Sequence, residues 1–144
     1  MISNTHMAIH HHLKSSSYAI LTGMAIKIDD VCLLPDIIVT DNEQDIEENK
    51  TYMESPKLVV EVLSTSTEKK DRGEKFLHYI NCPSIQEYVL ISQDSMLVQV
   101  YTRKDLEWGY RGYTRGEKVE LKSIGLIFPI EELYERVILP PFKS

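Results

Sequence analysis

The chain has 144 residues, of which 42% are hydrophobic and 26% charged, with a formal net charge of −6 and an isoelectric point near 5.3. That length suits one domain built on one core, and the composition is ordinary for a globular protein. The acidic balance argues against a general nucleic-acid binder. No run is apolar enough to cross a membrane, and the first residues lack the basic and apolar regions of a signal peptide.

Cys32 and Cys82 form no CxxC pair, which fits a reduced, cytoplasmic compartment, and both read as core or near-core thiols. Charge is unevenly spread. Asp41, Glu43, Asp45, Glu47 and Glu48 crowd one polar stretch, while Arg103, Lys104, Arg111, Arg115, Lys118 and Lys122 enrich the last third in base. The basic set fits solvated strand faces as well as it fits a binding surface.

In chain order, Thr5 to Ser17 suits a helix with Met7, Ile9 and Leu13 as apolar positions. His6 and His10 have the i, i+4 spacing of a helical metal pair, but no third ligand follows, and an exposed polar face is the better reading. Tyr18 to Leu21 fits a short strand or a helix end. Met24 to Ile28 alternates as a strand, Asp29-Asp30 signals a turn, and Val31 to Thr40 reads as the returning strand of a hairpin. Pro35 marks a strand start, an edge or a bulge just before Asp36. Residues 41–56 carry no period and read as a loop.

The next strand, Leu58 to Ser64, is apolar at both parities, as expected for a strand buried on both faces. Glu61 sits in its middle, much as Asp36 interrupts Leu33 to Val39. A buried carboxylate costs several kcal/mol unless something compensates it. Two acids inside two core-like runs ask for a shared cation.

Thr65 and Glu68 fit a capping box that opens a helix from Glu68 to Ile80. Phe76, Leu77 and Ile80 are its expected core face, and Gly73 suggests a close approach of another element. Asp71, Lys75 and Tyr79 share another face at i, i+4, i+8. Strands are expected at Glu87 to Ile91, Met96 to Thr102, Trp108 to Tyr113 and Lys118 to Leu121. A short helix from Ile130 to Val137 follows, and Pro140-Pro141 ends the order.

The chemistry gathers on Asp36, Glu61 and Lys75. Two carboxylates on adjacent strands can hold magnesium, a hard cation that prefers oxygen ligands, and a nearby lysine can orient an attacking water. Structural readings stand beside this one. Asp71 and Lys75 also fit a surface ion pair, Glu61 and Lys75 a buried bridge, and Asp36 a solvent-reached strand-end acid.

Pro35-Asp36, Leu58 to Ser64 around Glu61, Asp71, Lys75, Tyr79 and Glu87-Tyr88 together resemble the Uma-two family, restriction-endonuclease-like proteins of the PD-(D/E)XK nuclease superfamily. The resemblance covers roughly residues 6–135, with His6 in the place of a common family histidine. It implies one α/β (α+β) domain over residues 1–144: a mixed sheet flanked by helices, with extra C-terminal hairpins and an N-terminal segment shorter than the family's. It also implies a magnesium-dependent (or manganese-dependent) endonuclease acting on DNA, as a cytoplasmic homodimer. Asp36, Glu61 and the Val62 carbonyl would bind metal, Lys75 would assist the water, and Asp71 and Tyr79 would support. Leu63 stands where the superfamily commonly has lysine, and Lys75 on the following helix takes that role. A nuclease fold kept as a binding or assembly module is the competing expectation.

Overall fold

The computed structural model describes residues 1–13, 18–46, 51–64 and 71–139, with Asp71 and Arg72 described by their backbone alone. The elements run α1 (Ile2–Leu13), β1 (Ala19–Thr22), β2 (Ala25–Ile28), β3 (Val31–Leu33), β4 (Ile37–Thr40), β5 (Tyr52–Met53) and β6 (Leu58–Leu63). A π-helical turn, Asp71–Lys75, then leads into α2 (Phe76–Ile80). After it come β7 (Glu87–Ser92), β8 (Val98–Lys104), β9 (Glu107–Tyr113), β10 (Lys118–Leu121) and β11 (Leu126–Pro129).

The double-sided apolar pattern of β6 places it inside a six-stranded sheet of order β1-β4-β6-β7-β8-β9. β6 and β7 pair in parallel and the other neighbours antiparallel, so the sheet is mixed. A parallel pair needs a crossover, and the segment ending in α2 supplies it. Along β6 the side chains alternate between two cores. Leu58 and Val60 pack with Ile9 and Leu13 of α1, and with Phe128 and Leu133, on one face. Val59 and Leu63 pack with Tyr79 of α2, Tyr88 and Leu90 on the other, together with Ile26, Ile28 and Met53. A helix therefore covers each face.

Several elements depart from the sequence expectations. Val31 to Thr40 is two strands. Pro35, with its fixed φ and no N–H to donate, ends the pairing after Leu33. β3 pairs with β2 in a three-stranded sheet, β3-β2-β5, while β4 joins the central sheet between β1 and β6. The stretch 41–56 holds a 3-10 turn at Glu43–Ile46 and the short β5, which runs parallel to β2. Asp45 is buried there, accepting from the amides of Glu54 and Ser55 at 3.1 and 2.8 Å. The terminal helix is a 3-10 turn, Ile130–Tyr134, preceded by β11, which pairs with β10. α1 begins at Ile2, and its expected end beyond Leu13 lies outside the described residues, as do the capping box at Thr65 and Glu68 and the Pro140-Pro141 stop.

Three residues also differ in burial. Cys32 is exposed, on the solvent side of β3, and Cys82 alone is a core thiol. Leu77 is 59% exposed, and Tyr79 replaces it as the buried anchor of α2. Among the described residues, no atom beyond its chain neighbours and its own helix backbone lies within 4 Å of a Cβ placed on Gly73, so no close approach there requires that glycine.

The burial pattern gives a direct test. Leu90→Ala, in the centre of the Tyr79–Tyr88 core, should cost about 2–5 kcal/mol in urea denaturation. Leu77→Ala should stay within about 0.5 kcal/mol of wild type. Equal effects would mean that α2 turns a different face to the sheet.

Candidate metal and catalytic centre

The register of β4 and β6 pairs Ile37 with Val60 and Ile38 with Val59. One step further places Asp36 opposite Glu61, and both share the parity of Ile38 and Val59. The two acids therefore lie on the same sheet face, the one covered by α2. β4 has ended at this point, so the side chain of Asp36 takes over the ladder: the Val62 amide donates to its Oδ2 at 2.7 Å. The Leu63 carbonyl faces β7, where it accepts from the Gln93 amide at 2.9 Å. Peptide groups alternate along a strand, so the Val62 carbonyl faces the Asp36 side.

Glu61 is 2% exposed, and both of its oxygens are occupied. Lys75 Nζ and Tyr79 Oη donate to Oε1 at 3.0 and 3.1 Å, and Tyr88 Oη donates to Oε2 at 2.9 Å. Lys75 and Tyr79 are four residues apart, so one helical face carries both onto a single oxygen. Tyr88 comes from β7, where Leu90 is the registered partner of Glu61. It reaches the acid from the diagonal position two residues back. Tyr79 and Tyr88 also pack ring to ring, with centroids 4.8 Å apart.

Burial still outweighs these donors and holds the Glu61 carboxyl above its ordinary value near 4.5; the Lys75 ammonium and the two tyrosine hydroxyls pull it part of the way back. The cause is desolvation within the core and not repulsion from Asp36.

The structure thus brings Asp36, Glu61, the Val62 backbone, Lys75 and Tyr79 together. The side chain of Asp71 lies outside the described residues. Tyr88 belongs to the cluster as well, a role the sequence reading did not assign. Its signal was available in strand parity, since Tyr88 pairs with Val59 on the same face as Glu61. Leu63, at the position where lysine is common, is buried in the core. His6 stacks on His10 with ring centroids 6.0 Å apart. Among the described residues no group of three or more His, Cys, Asp or Glu side chains could hold a metal ion.

The donor set is nevertheless all oxygen: the Asp36 carboxylate, Glu61 Oε2 with coordination capacity left beside Tyr88, and the Val62 carbonyl. That chemistry fits a hard cation that keeps several waters, and it fits thiophilic metals poorly.

A mixed sheet flanked by helices is the architecture of restriction-endonuclease-like proteins. A crystal structure from Anabaena variabilis, described as "a putative nuclease belonging to DUF820", shares the fold. Its TM-score is 0.77 over 95% of this chain and 79% of that one, at 20% identity. The Uma2 family profile, described as "Putative restriction endonuclease", matches residues 3–131, and the chain belongs to that family. An uncharacterized protein of Synechocystis sp. is 41% identical over 101 residues, covering 69% of this chain and 53% of the relative. A second from the same organism is 37% identical over 76 residues, covering 51% and 43%. The chain spans about half the length of these curated relatives. No helix among the described residues is long and apolar enough to cross a membrane.

The raised Glu61 carboxyl has a signed consequence. The folded state holds this proton more tightly than the unfolded chain, so stability from this group is greatest below pH 4.5. It is lost as pH rises through the higher folded value. Glu61→Gln removes the titration. The stability difference between Glu61→Gln and wild type should therefore shift in favour of the variant as pH rises through that window. Urea midpoints of both proteins from pH 4 to 8 measure it, and a shift in favour of wild type would show that the donors outweigh burial.

Proposed function

We propose that this chain is a metal-dependent endonuclease that hydrolyses phosphodiester bonds in DNA. The observation that carries the proposal is the Lys75 ammonium held 3.0 Å from Glu61, on the same sheet face as Asp36. Asp36, Glu61 and the Val62 carbonyl would hold a divalent ion, with magnesium the expected one and manganese an acceptable substitute. Such an ion, when bound, polarises a phosphoryl group and acidifies coordinated water.

The chain's own residues do the rest. Glu61 holds Lys75 in place, and the ammonium presents its remaining donors to the attacking water and to developing negative charge on phosphate. Tyr79 and Tyr88 fix the Glu61 carboxylate in one orientation. Leu63 and the aromatic layer close the inner side of the site. Lys75 is 28% exposed at its side chain, so substrate approaches from the lysine side. Family membership supports a nuclease activity, and the choice of DNA and of magnesium is part of the proposal.

One observation favours a second reading, a nuclease fold kept as a binding or assembly module. All three protein donors on Glu61 are satisfied without a metal, as in a structural buried bridge.

Cleavage of supercoiled plasmid and of single-stranded DNA, with magnesium or with EDTA, separates the two readings. Wild type should cut only with the metal. Lys75→Ala should lose about a hundredfold to a thousandfold in rate while binding magnesium as well as wild type or slightly better, because Glu61 loses its counter-ion. Metal binding without cleavage of either DNA would favour the module.

A stability measurement needs no substrate. An ion that binds only the folded protein adds about 2.7 kcal/mol at a hundred times its dissociation constant. Wild type should melt higher on adding magnesium. Asp36→Asn keeps an oxygen for the Val62 amide and should fold normally, yet gain little from magnesium. If Asp36→Asn melts well below wild type and magnesium shifts neither protein, Asp36 is a structural acid.

A further inference from the structure

At the opposite end of the same strands lies a cleft that the Asp36–Glu61 site does not use. Lys57, the residue before β6, lines it, and Val62 at the acid site lies five residues on, a separation of about 16 Å at strand rise. The cleft encloses about 770 Å³, within the range of small-ligand sites. Four bases line it, Lys57, Arg103, Lys104 and Lys122, against a single acid, Asp41. This is the reverse of the chain's net charge of −6.

The four bases are held differently. Arg103 is built into the wall: its guanidinium donates to the carbonyls of Ile80, Cys82 and Ile85 at 2.8–3.1 Å and lies over the Trp108 ring. Lys57 is tied to Tyr18 Oη at 2.8 Å and to Asp41 at 3.5 Å. Lys104 and Lys122 are exposed and make no ion pair within the described residues. Glu87, buried beneath the cleft, is spent on Thr102 Oγ1 and the Ser123 amide, at 2.8 and 2.6 Å. Ser123 lines the cleft, and its hydroxyl oxygen, itself shielded from solvent, has no hydrogen-bond partner among the described residues.

A second hollow of about 210 Å³ continues the first, sharing Thr102, Lys104 and Lys122 and adding Tyr110, Arg111 and Glu120. A basic track with an aromatic ring beside it suits a polyanion carrying planar bases.

We infer that this cleft is a phosphate-binding site separate from the Asp36–Glu61 centre, with Lys104 and Lys122 as its cationic arms. The phosphate belongs either to a mononucleotide seated in the larger hollow or to a nucleic-acid strand that runs through both. The inference does not rest on the nuclease reading, and a chain that cuts nothing could still bind here.

The test uses the full chain in EDTA, so that cleavage does not intrude. A Lys104→Glu/Lys122→Glu variant is compared with wild type and with a charge-matched control, Lys27→Glu/Lys118→Glu, at exposed lysines outside the cleft. Thermal melts confirm that all three fold. Anisotropy of a labelled single-stranded oligonucleotide should show a loss of roughly tenfold or more in the cleft variant, with a salt dependence shallower by about 1.4 in log–log slope for two lost contacts. The control should stay near wild type. Calorimetry with ATP separates the sources: ATP binding lost only in the cleft variant, with the oligonucleotide indifferent, assigns the phosphate to a free nucleotide. If neither probe binds, or if the cleft variant and the control behave alike with both, the inference is overturned.

Discussion

The structure turns on one buried charge. A carboxylate in the middle of a two-sided central strand is tolerated only if donors reach it from outside its own strand. Here they come from the π-turn and α2 that follows it, and from β7, which fixes where the crossover helix must lie and how β7 must register against β6. The Tyr79–Tyr88 ring contact is a by-product of two hydroxyls converging on one acid. Even so, burial keeps the Glu61 carboxyl raised. A site that tolerates this acid at a cost is poised to gain from anything that adds positive charge.

Much of this was legible because the signal was local. The apolar run of Leu58 to Ser64 identified a central strand from composition alone, and two acids in core-like runs pointed to one place. Lys75 and Tyr79 were legible through helical spacing. What escaped depended on contacts distant in sequence. Pro35 was visible as an irregularity, but nothing nearby says that the chain changes sheets there, because that choice is made by the pairing of β4 with β1 and β6. Asp45 sat in an acidic stretch that reads as solvated, yet two backbone amides nine and ten residues later bury it. Leu77 and Tyr79 differ by two positions on a single turn, and the π-turn that leads into α2 shifts the phase from which a buried face would be read.

The domain divides its chemistry between the two ends of its strands. One end gathers acids on a covered sheet face; the other gathers bases around an open cleft. Opposite charges at opposite ends let a chain of net negative charge present a surface that anions can approach. Fold and family are secure without either end, since they rest on the sheet order and the sequence match.

The parallel pairing of β6 with β7 has a kinetic consequence. β7, β8 and β9 form a meander whose strands are joined by short turns, whereas the first registered pair of β6 and β7, Leu58 with Glu87, is 29 residues apart. Closing that longer loop costs more chain entropy before any contact repays it. The meander can therefore form as a unit before Glu61 meets its donors. Interactions made after the folding barrier slow escape from the native state without hastening arrival. A ligand at the acid end would then lengthen the lifetime of the folded chain and leave its rate of folding almost untouched.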